Sequence, residues 1–206
     1  MMPFHHCKSK AASIGWDVHT QLVILAVIGL FVFMHLSNLD ESFALQYTNH
    51  TSDKYLIKFQ YPSTWQISEK SNRFDEYADI RINDTSVADG SIFISVNHHT
   101  KKSSDESAIQ TITESRLDSI IRDPSCECRV IESPSYLDID GHSTGTFVYT
   151  RSEDSLPYAS QVWYILLPDR DYVVQFTSSV DTFDKTEYIK VRETFIKSIE
   201  VLKSNR

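Results

Sequence analysis

A long stretch without charge divides this chain into two parts. No charged side chain occurs between Asp17 and Asp40, and residues 22–34 are continuously apolar. As a helix that core covers only about 20 Å, so the predicted span extends over residues 18–39 to approach the ~30 Å of a bilayer's hydrocarbon. The segment is expected to be either an uncleaved transmembrane anchor or a signal peptide cleaved near Ala44. A core helix of a soluble protein is disfavoured, because such a helix seldom lacks a polar face.

The charges that flank the apolar segment predict which side of the membrane the rest of the chain occupies. Lys8 and Lys10 precede the segment, whereas Asp40 and Glu41 follow it. Since basic residues stay on the cytoplasmic side, residues 1–17 are predicted to form a cytoplasmic tail. The remainder is therefore expected outside the cytoplasm, either anchored to the membrane or secreted.

The part beyond the apolar segment is divided into a short tether and one folded domain. Residues 40–54 are polar enough to act as a tether, and residues 55–203 are predicted to form the domain. Asn49 and Asn83 begin N-glycosylation triplets, which an exported domain could use. Residues 18–39 make the membrane itself a predicted partner.

The charge balance excludes one class of partner. The 206 residues carry a formal charge of −8, and the longest basic run is Lys101-Lys102. Binding to a phosphate backbone requires clustered Lys and Arg side chains. A nucleic-acid partner is therefore not expected.

The domain opens with a period-two pattern that is typical of strands. Apolar and polar residues alternate from Tyr55 to Tyr61, so one face of this segment is predicted to be buried. Pro62 lacks a backbone donor and ends the strand. The alternation resumes at Trp65 and Ile67, which predicts a hairpin between the two segments.

Two segments have helical spacing instead. Ser103 and Glu106 form a capping-box pattern ahead of apolar residues at helical intervals, and Pro124 ends that helix. A second helix is predicted from about residue 182 to residue 202, where it should pack on a sheet.

Further strand-like runs are separated by turn signals. They cover residues 79–83, 91–97, 129–133, 136–139, 143–151, 161–167 and 172–178. Asp140-Gly141 favours a tight hairpin turn. The last two runs are dense in aromatic and β-branched residues, so we expect them at the centre of the sheet. Antiparallel strands interrupted by only two helices indicate an α+β sandwich.

Three local motifs occur within this order of elements. Residues 59–65 read FQYPSTW and include Tyr61, Pro62 and Trp65. Residues 137–141 read LDIDG, and residues 146–149 read TFVY. Residues 195–201 read FIKSIEV. Together they resemble the opening hairpin, the middle hairpin and the C-terminal helix of PsbP-like domains. That family comprises the extrinsic photosystem II protein and its non-photosynthetic prokaryotic relatives.

The resemblance implies an antiparallel β-sheet flanked by helices, an α/β/α sandwich that is preceded here by one hydrophobic helix. It implies no catalysis, and a role in docking onto or assembling a membrane-associated complex. An unidentified protein partner is therefore expected. The basic N-terminal docking segment of photosynthetic members has no counterpart in residues 45–53, so their partner is not carried over.

One cluster offers the side chains of a cation site. Asp138, Asp140 and His142 are the candidate metal ligands. Turn chemistry is the stronger interpretation, because both carboxylates share a polar strand face beside the predicted tight turn. A metal-dependent enzyme that combines this cluster with Cys128 or His98 is the remoter alternative.

No other feature indicates catalysis. Cys126 and Cys128 could form a local disulfide, half of a metal site or two ordinary thiols, and ordinary thiols are favoured because no second ligand pair stands nearby. His98 and His99 end a predicted strand, where one imidazole could reach a carboxylate. No nucleophile-elbow, phosphate-loop or zinc-protease motif occurs. We therefore expect neither an enzyme nor a bound cofactor.

An exported carrier of a small ligand is the other functional alternative. It would use a pocket between the helix at residues 182–202 and the sheet. The aromatic residues that could line a groove are Tyr158, Trp163, Tyr164, Tyr172 and Phe176. Strands this aromatic more often form core, which is our expectation for them.

Overall fold

The computed structural model describes residues 45–69, 79–85, 89–99, 105–153 and 156–203. The predicted cytoplasmic tail at residues 1–17, the apolar span at residues 18–39 and the cleavage position near Ala44 lie outside these ranges. Within them, no helix is long and apolar enough to cross a membrane.

The described residues form ten strands and three helices. The strands are β1 (Tyr47–Ser52), β2 (Ile57–Pro62), β3 (Gln66–Glu69), β4 (Ile80–Asn83), β5 (Ser91–His98), β6 (Arg129–Ile139), β7 (His142–Glu153), β8 (Leu156–Leu166), β9 (Arg170–Ser179) and β10 (Glu200–Val201). The helices are α1 (Glu106–Ile121), α2 (Val180–Phe183) and α3 (Thr186–Lys197). Every strand pairing among them is antiparallel, as the α+β prediction requires.

The strands form two sheets. The main sheet has seven strands in the order β3-β4-β5-β9-β8-β7-β6, and β1, β2 and β10 form a smaller one. The aromatic strands β8 and β9 lie near the middle of the main sheet, which confirms the prediction that they are central. A middle strand has neighbours on both sides and covered faces, which suits β-branched and aromatic side chains.

Both faces of the main sheet carry apolar side chains, so each face needs a covering layer. On one face, apolar residues of β4, β5, β8 and β9 pack with α2, α3 and the β2 strand of the small sheet. On the other face, apolar residues of β7 and β8 pack against Ile109 and Leu117 of α1. The result is an antiparallel sheet flanked by helices, as predicted.

Phe176 on β9 lies at the centre of an aromatic cluster. Its ring centroid is 6.5 Å from Trp65, 6.0 Å from Phe183 and 5.8 Å from Tyr188. The Arg192 guanidinium lies 5.4 Å from the same ring. The cluster joins β9, the residue before β3, and both C-terminal helices. Motif residue Trp65 is therefore part of the core, as are four of the five aromatic residues for which core was expected, Tyr158 being half-buried.

The hairpin predicted around Pro62 is wrong. β2 ends at Pro62 as expected, and the Trp65 N–H donates to the Pro62 carbonyl over 2.9 Å. Beyond this turn, however, β3 pairs with β4 in the main sheet, whereas β2 pairs with β1 and β10. Trp65 is buried against Phe176, and the chain passes at this point from the small sheet to the main sheet. The Tyr61–Trp65 motif therefore connects the two sheets and is not a hairpin turn.

The segment predicted as a tether contains a strand. β1 pairs with β2 along its whole length, from Tyr47 opposite Pro62 to Ser52 opposite Ile57. β1 is an edge strand whose exposed positions, Asn49 among them, are polar. An edge strand with polar exposed positions has the composition of a tether, which is why the sequence pattern misled.

Both helix boundaries also differ from their predictions. α1 is capped by Asp105, whose carboxylate accepts the Ala108 N–H over 2.8 Å, and the predicted cap Ser103 lies outside the described residues. The C-terminal helix predicted for residues 182–202 consists of α2 and α3 and ends at Lys197. The chain then forms β10, because pairing with β2 replaces further helical hydrogen bonds.

The tight turn predicted at Asp140-Gly141 is confirmed. It connects β6 and β7, and both residues have left-handed backbones, with φ of 52° and 77°. Asp and Gly tolerate this conformation, which a two-residue hairpin of matching twist requires.

A half-buried carboxylate ahead of β5 joins that strand to the end of β9. Asp89 accepts hydrogen bonds from the Ser179 N–H (2.8 Å), the Ser179 hydroxyl (2.9 Å) and the Thr182 hydroxyl. Burial alone would raise the pKa of Asp89, but these hydrogen bonds outweigh it and lower the pKa. The charged form is therefore stabilised by folding.

Asp89→Asn is expected to reduce the free energy of unfolding by about 1–3 kcal/mol at neutral pH, because the amide cannot accept all three hydrogen bonds. A lowered folded pKa gives stability above the ordinary carboxyl pKa that is lost as pH falls through the lowered value. Urea midpoints should thus differ at neutral pH and converge as pH falls through the lowered pKa. The exposed Asp181 on α2 is the control, since Asp181→Asn should leave the midpoints unchanged.

Candidate functional site

The exposed large apolar side chains of the described residues are concentrated on β6, an edge strand of the main sheet. They are Val130, Ile131, Tyr136 and Leu137, which we call the β6 patch. Ile131 is 60% exposed. An edge strand has unpaired backbone groups on one side, and apolar side chains beside them favour contact with another chain. The β6 patch is therefore a candidate docking surface.

The middle of β6 departs from regular pairing. Its register with β7 shifts between Val130 and Glu132 and again between Glu132 and Ser135, and Pro134 lies within the second shift. Bulges and proline are the usual means by which edge strands resist indiscriminate strand addition. The β6 patch thus suits a contact made through side chains with a particular partner.

The region around the patch is acidic. Residues 118–140 contain six Asp or Glu residues and two Arg residues, a net charge of −4, and all eight side chains are exposed. Arg122 is already paired with Asp118 at 3.1 Å. Glu132 lies between the two halves of the patch. A complementary partner would present basic residues around an apolar contact.

The candidate metal ligands do not converge on a cation. Asp138 Oδ1 accepts the Gly141 N–H over 2.8 Å, and Asp140 Oδ2 accepts the Val201 N–H over 2.7 Å. His142 begins β7 beyond the turn. In the described part of the chain, no three His, Cys, Asp or Glu residues are grouped to hold a metal ion. The two aspartates instead stabilise the turn and attach β10.

The remaining chemistry candidates have structural partners. His99 Nε2 lies 2.7 Å from Asp171 Oδ1, so one imidazole does reach a carboxylate, while His98 is exposed at the end of β5. Cys126 and Cys128 are joined as a disulfide, so the interpretation as ordinary thiols is wrong. A disulfide-bonded Cys128 has no thiolate to act as a nucleophile.

A groove of about 700 Å³ lies between α1 and the main sheet. α1 packs over β6, β7 and β8, and the groove opens beside it over β5 and β9. Hydroxyl and amide side chains dominate its lining, among them Ser95, Asn97, Ser115, Ser119 and Gln175. The pocket predicted beside the C-terminal helix was placed on the opposite face, where aromatic core residues fill the space below α3.

Tyr164 and Arg116 give the groove its electrostatic character. The Tyr164 side chain on β8 is 94% buried, with 6% exposed, yet it lines the groove. Burial raises the pKa of Tyr164, and the nearby Arg116 guanidinium on α1 opposes that rise. Arg116 brings a positive charge to a lining that otherwise consists of neutral side chains.

Sequence reasoning missed both surfaces. An exposed strand such as β6 has the same apolar content as a buried one, and only the strand order reveals that it lies at an edge. The groove did leave a signal, because Thr111, Ser115 and Ser119 recur at i, i+4 and i+8 along one side of α1. Such a stripe places polar side chains on a helix face that would otherwise be expected to pack against the sheet.

The two glycosylation triplets lie in different surroundings. Asn49 is exposed on β1. Asn83 on β4 is half-buried, and its Oδ1 accepts hydrogen bonds from Arg81 Nε and Ser91 Oγ, each at 3.0 Å. Glycosylation at either position stays a prediction, and Asn49 is the more accessible of the two.

The fold and the edge surface together describe an α+β domain with an antiparallel sheet between helices. No protein-family model and no curated protein sequence matches the chain. Solved structures do share its fold, and they show that this fold is PsbP-like. The solution structure of cyanobacterial PsbP from Synechocystis sp. PCC 6803 matches with a TM-score of 0.51 and 14% identity, covering 77% of this chain and 94% of that one.

Two further structures are similar. LpqN, involved in cell envelope biogenesis of Mycobacterium tuberculosis, has a TM-score of 0.56 and 14% identity, covering 79% of this chain and 94% of that one. A protein from Bacteroides thetaiotaomicron VPI-5482 has a TM-score of 0.55 and 18% identity over 79% of this chain, which spans only 51% of that protein's length. At these identities the likeness concerns the fold, and activity does not follow from it.

Proposed function

We propose that this chain is a non-catalytic PsbP-like module that docks onto a protein at the extracytoplasmic face of a membrane. Residues 18–39 would serve as its anchor or export signal, and the charges on either side of them support an external domain. The similarity in fold to LpqN, which is involved in cell envelope biogenesis, supports a place in the envelope.

The β6 patch is the observation that carries this proposal. Four large apolar side chains of one edge strand are exposed, in the adjacent pairs Val130-Ile131 and Tyr136-Leu137, and a concentration of exposed apolar groups marks an interaction surface more often than scattered ones do. The net charge of −4 around them indicates a partner surface of opposite charge. We infer a partner segment with apolar side chains flanked by Lys or Arg.

Site-specific photocrosslinking in the full chain, expressed in its own cells, tests the proposal. A photoreactive residue in place of Ile131 should crosslink to one protein, and the crosslinked peptide should contain apolar residues flanked by Lys or Arg. Leu156 is the matched control, since it is 59% exposed but lies on β8 outside the patch. Crosslinking from that position should be at background.

Charge reversal sharpens the same experiment. Glu132→Lys should reduce the yield of the Ile131 crosslink, because a rim charge acts mainly on the association rate. Equal adducts from positions 131 and 156, or a crosslink to a second copy of this chain, would contradict the proposal.

Mass spectrometry of the mature N-terminus then distinguishes an anchor from a cleaved signal peptide.

A small-ligand carrier is the second candidate function. The observation in its favour is the groove beside α1, whose volume of about 700 Å³ lies within the range of ligand sites. The two functions use different surfaces of the main sheet, so one does not exclude the other.

A further inference from the structure

We propose that the groove beside α1 is a binding site for a small hydroxylated carboxylate, with Arg116 as the residue that binds the carboxylate. This site is separate from the β6 patch and does not depend on the docking function.

Arg116 has no acidic partner on its own helix. The side chains three and four residues away along α1 are Ile112, Thr113, Ser119 and Ile120, and none of them is charged. Ion pairs between exposed helical side chains form at these spacings. Arg122, at the end of the same helix, shows the contrast, because it pairs with Asp118 at 3.1 Å. The partner that the Arg116 guanidinium does have is the neutral Tyr164 hydroxyl, which leaves its positive charge available to an anion from outside.

The floor of the groove also favours an anion. The Tyr164 hydroxyl accepts a hydrogen bond from the Arg116 guanidinium and, as a neutral phenol, keeps its own proton to donate to a ligand. The carboxylate that acts on Tyr164 from the sheet, Asp171, is held by His99 at 2.7 Å. None of the residues that line the groove is acidic. The chain as a whole carries a net charge of −8, but the side chains that line the groove do not repel an anion.

The rest of the lining specifies a ligand with hydroxyl groups. Ser95, Asn97, Ser115, Ser119 and Gln175 present hydroxyls and amides, which both donate and accept hydrogen bonds. Such groups are satisfied by hydroxyls of a ligand and left unpaired by a hydrocarbon. A single guanidinium matches a single carboxylate, which it can bind through two parallel hydrogen bonds. Together these features favour a hydroxylated monocarboxylate over a polyanion.

Gluconate and glucitol form a matched pair of probes, because they share an open hydroxylated chain and differ in the carboxylate. NMR titration of the purified full chain, followed through the resonances of its folded domain, reports binding residue by residue. Gluconate should shift the resonances of α1, β5 and β9 around the groove, and glucitol should bind at least about tenfold more weakly. Acetate, which lacks the hydroxyls, should also bind more weakly than gluconate.

Variants of the two arginines on α1 complete the test. Arg116→Gln should weaken gluconate binding about tenfold or more, and Arg116→Lys should weaken it less, since lysine keeps the charge but loses the paired geometry. Arg122→Gln is the control and should leave the affinity unchanged. Three results would each overturn the proposal: no gluconate shifts at the groove, equal binding of glucitol, or equal losses from Arg116→Gln and Arg122→Gln.

Discussion

Replacement of Phe176 by alanine is expected to lower the free energy of unfolding by about 3–5 kcal/mol. Phe176 is fully buried and contacts the rings of Trp65, Phe183 and Tyr188. Its removal would leave a cavity that these large, rigid neighbours cannot fill. A domain of this size has about 5–15 kcal/mol of stability in total, so much of it would be lost.

The aromatic cluster also places Arg192 over apolar surface, which adds to the expected loss. The guanidinium lies 3.7 Å from the Phe183 ring centroid and 5.4 Å from that of Phe176. Burial lowers the pKa of Arg192, and these ring faces together with the Asp184 carboxylate compensate for the solvation that its charge loses. Without Phe176, one of the two ring faces is gone and the buried charge is less well compensated.

Phe93 provides the matched control for Phe176. It lies on β5, adjacent to β9, but points to the opposite face, is only half-buried, and contacts Arg81. Phe93→Ala should therefore cost about 1 kcal/mol. Chemical denaturation of both variants measures the difference. Equal losses at the two positions would show that the cluster around Phe176 does not have the role assigned to it.

The parts of the fold that the sequence predicted correctly depend on neighbouring residues in the chain. The β6–β7 hairpin follows from Asp140 and Gly141, whose left-handed backbones set the turn. The β8–β9 hairpin follows from two aromatic runs joined by a short turn. In each case the pairing strand is the next one along the chain, so local chemistry was sufficient.

The errors arise where the partner is distant in sequence. β2 pairs with β10, more than 100 residues later, and nothing around Pro62 indicates that β2 and β3 belong to different sheets. Ile199 and Leu202 continue a helical spacing of apolar residues, yet Glu200 and Val201 between them form a strand because β2 has a free edge there. Local propensity is overridden when a distant edge supplies hydrogen bonds.

The candidate site was less predictable than the fold for a related reason. Ile131 and Leu137 are as apolar as core residues of β8, and only their position on an edge strand exposes them. The binding role proposed for Arg116 likewise depends on which part of the sheet α1 leaves uncovered. Exposure and cavities are consequences of assembly, so they became visible only with the strand order.

Gly145→Ala is expected to destabilise the domain by about 1–3 kcal/mol, the usual cost of overpacking. Gly145 lies on β7 where Thr113 of α1 packs against it. An added Cβ would overlap Thr113 Oγ1 and lie 2.9 Å from Thr113 Cβ. Thr113 cannot easily move, because it is fully buried and its hydroxyl donates to the Ile109 carbonyl over 2.7 Å. Urea denaturation of the single variant measures this cost.

A double-mutant cycle with Thr113→Ala tests the cause of that loss. Thr113→Ala removes the hydroxyl and methyl that the new Cβ would meet, so Gly145→Ala should cost less in that background, with a coupling of about 0.5–3 kcal/mol. Gly141→Ala is the control, since its Cβ meets no atom within 4 Å and its cost comes from φ of +77°. Thr113→Ala should not reduce the loss of stability caused by Gly141→Ala. Additive effects at Gly145 would contradict the close packing of α1, and with it the position of the groove wall that carries Arg116.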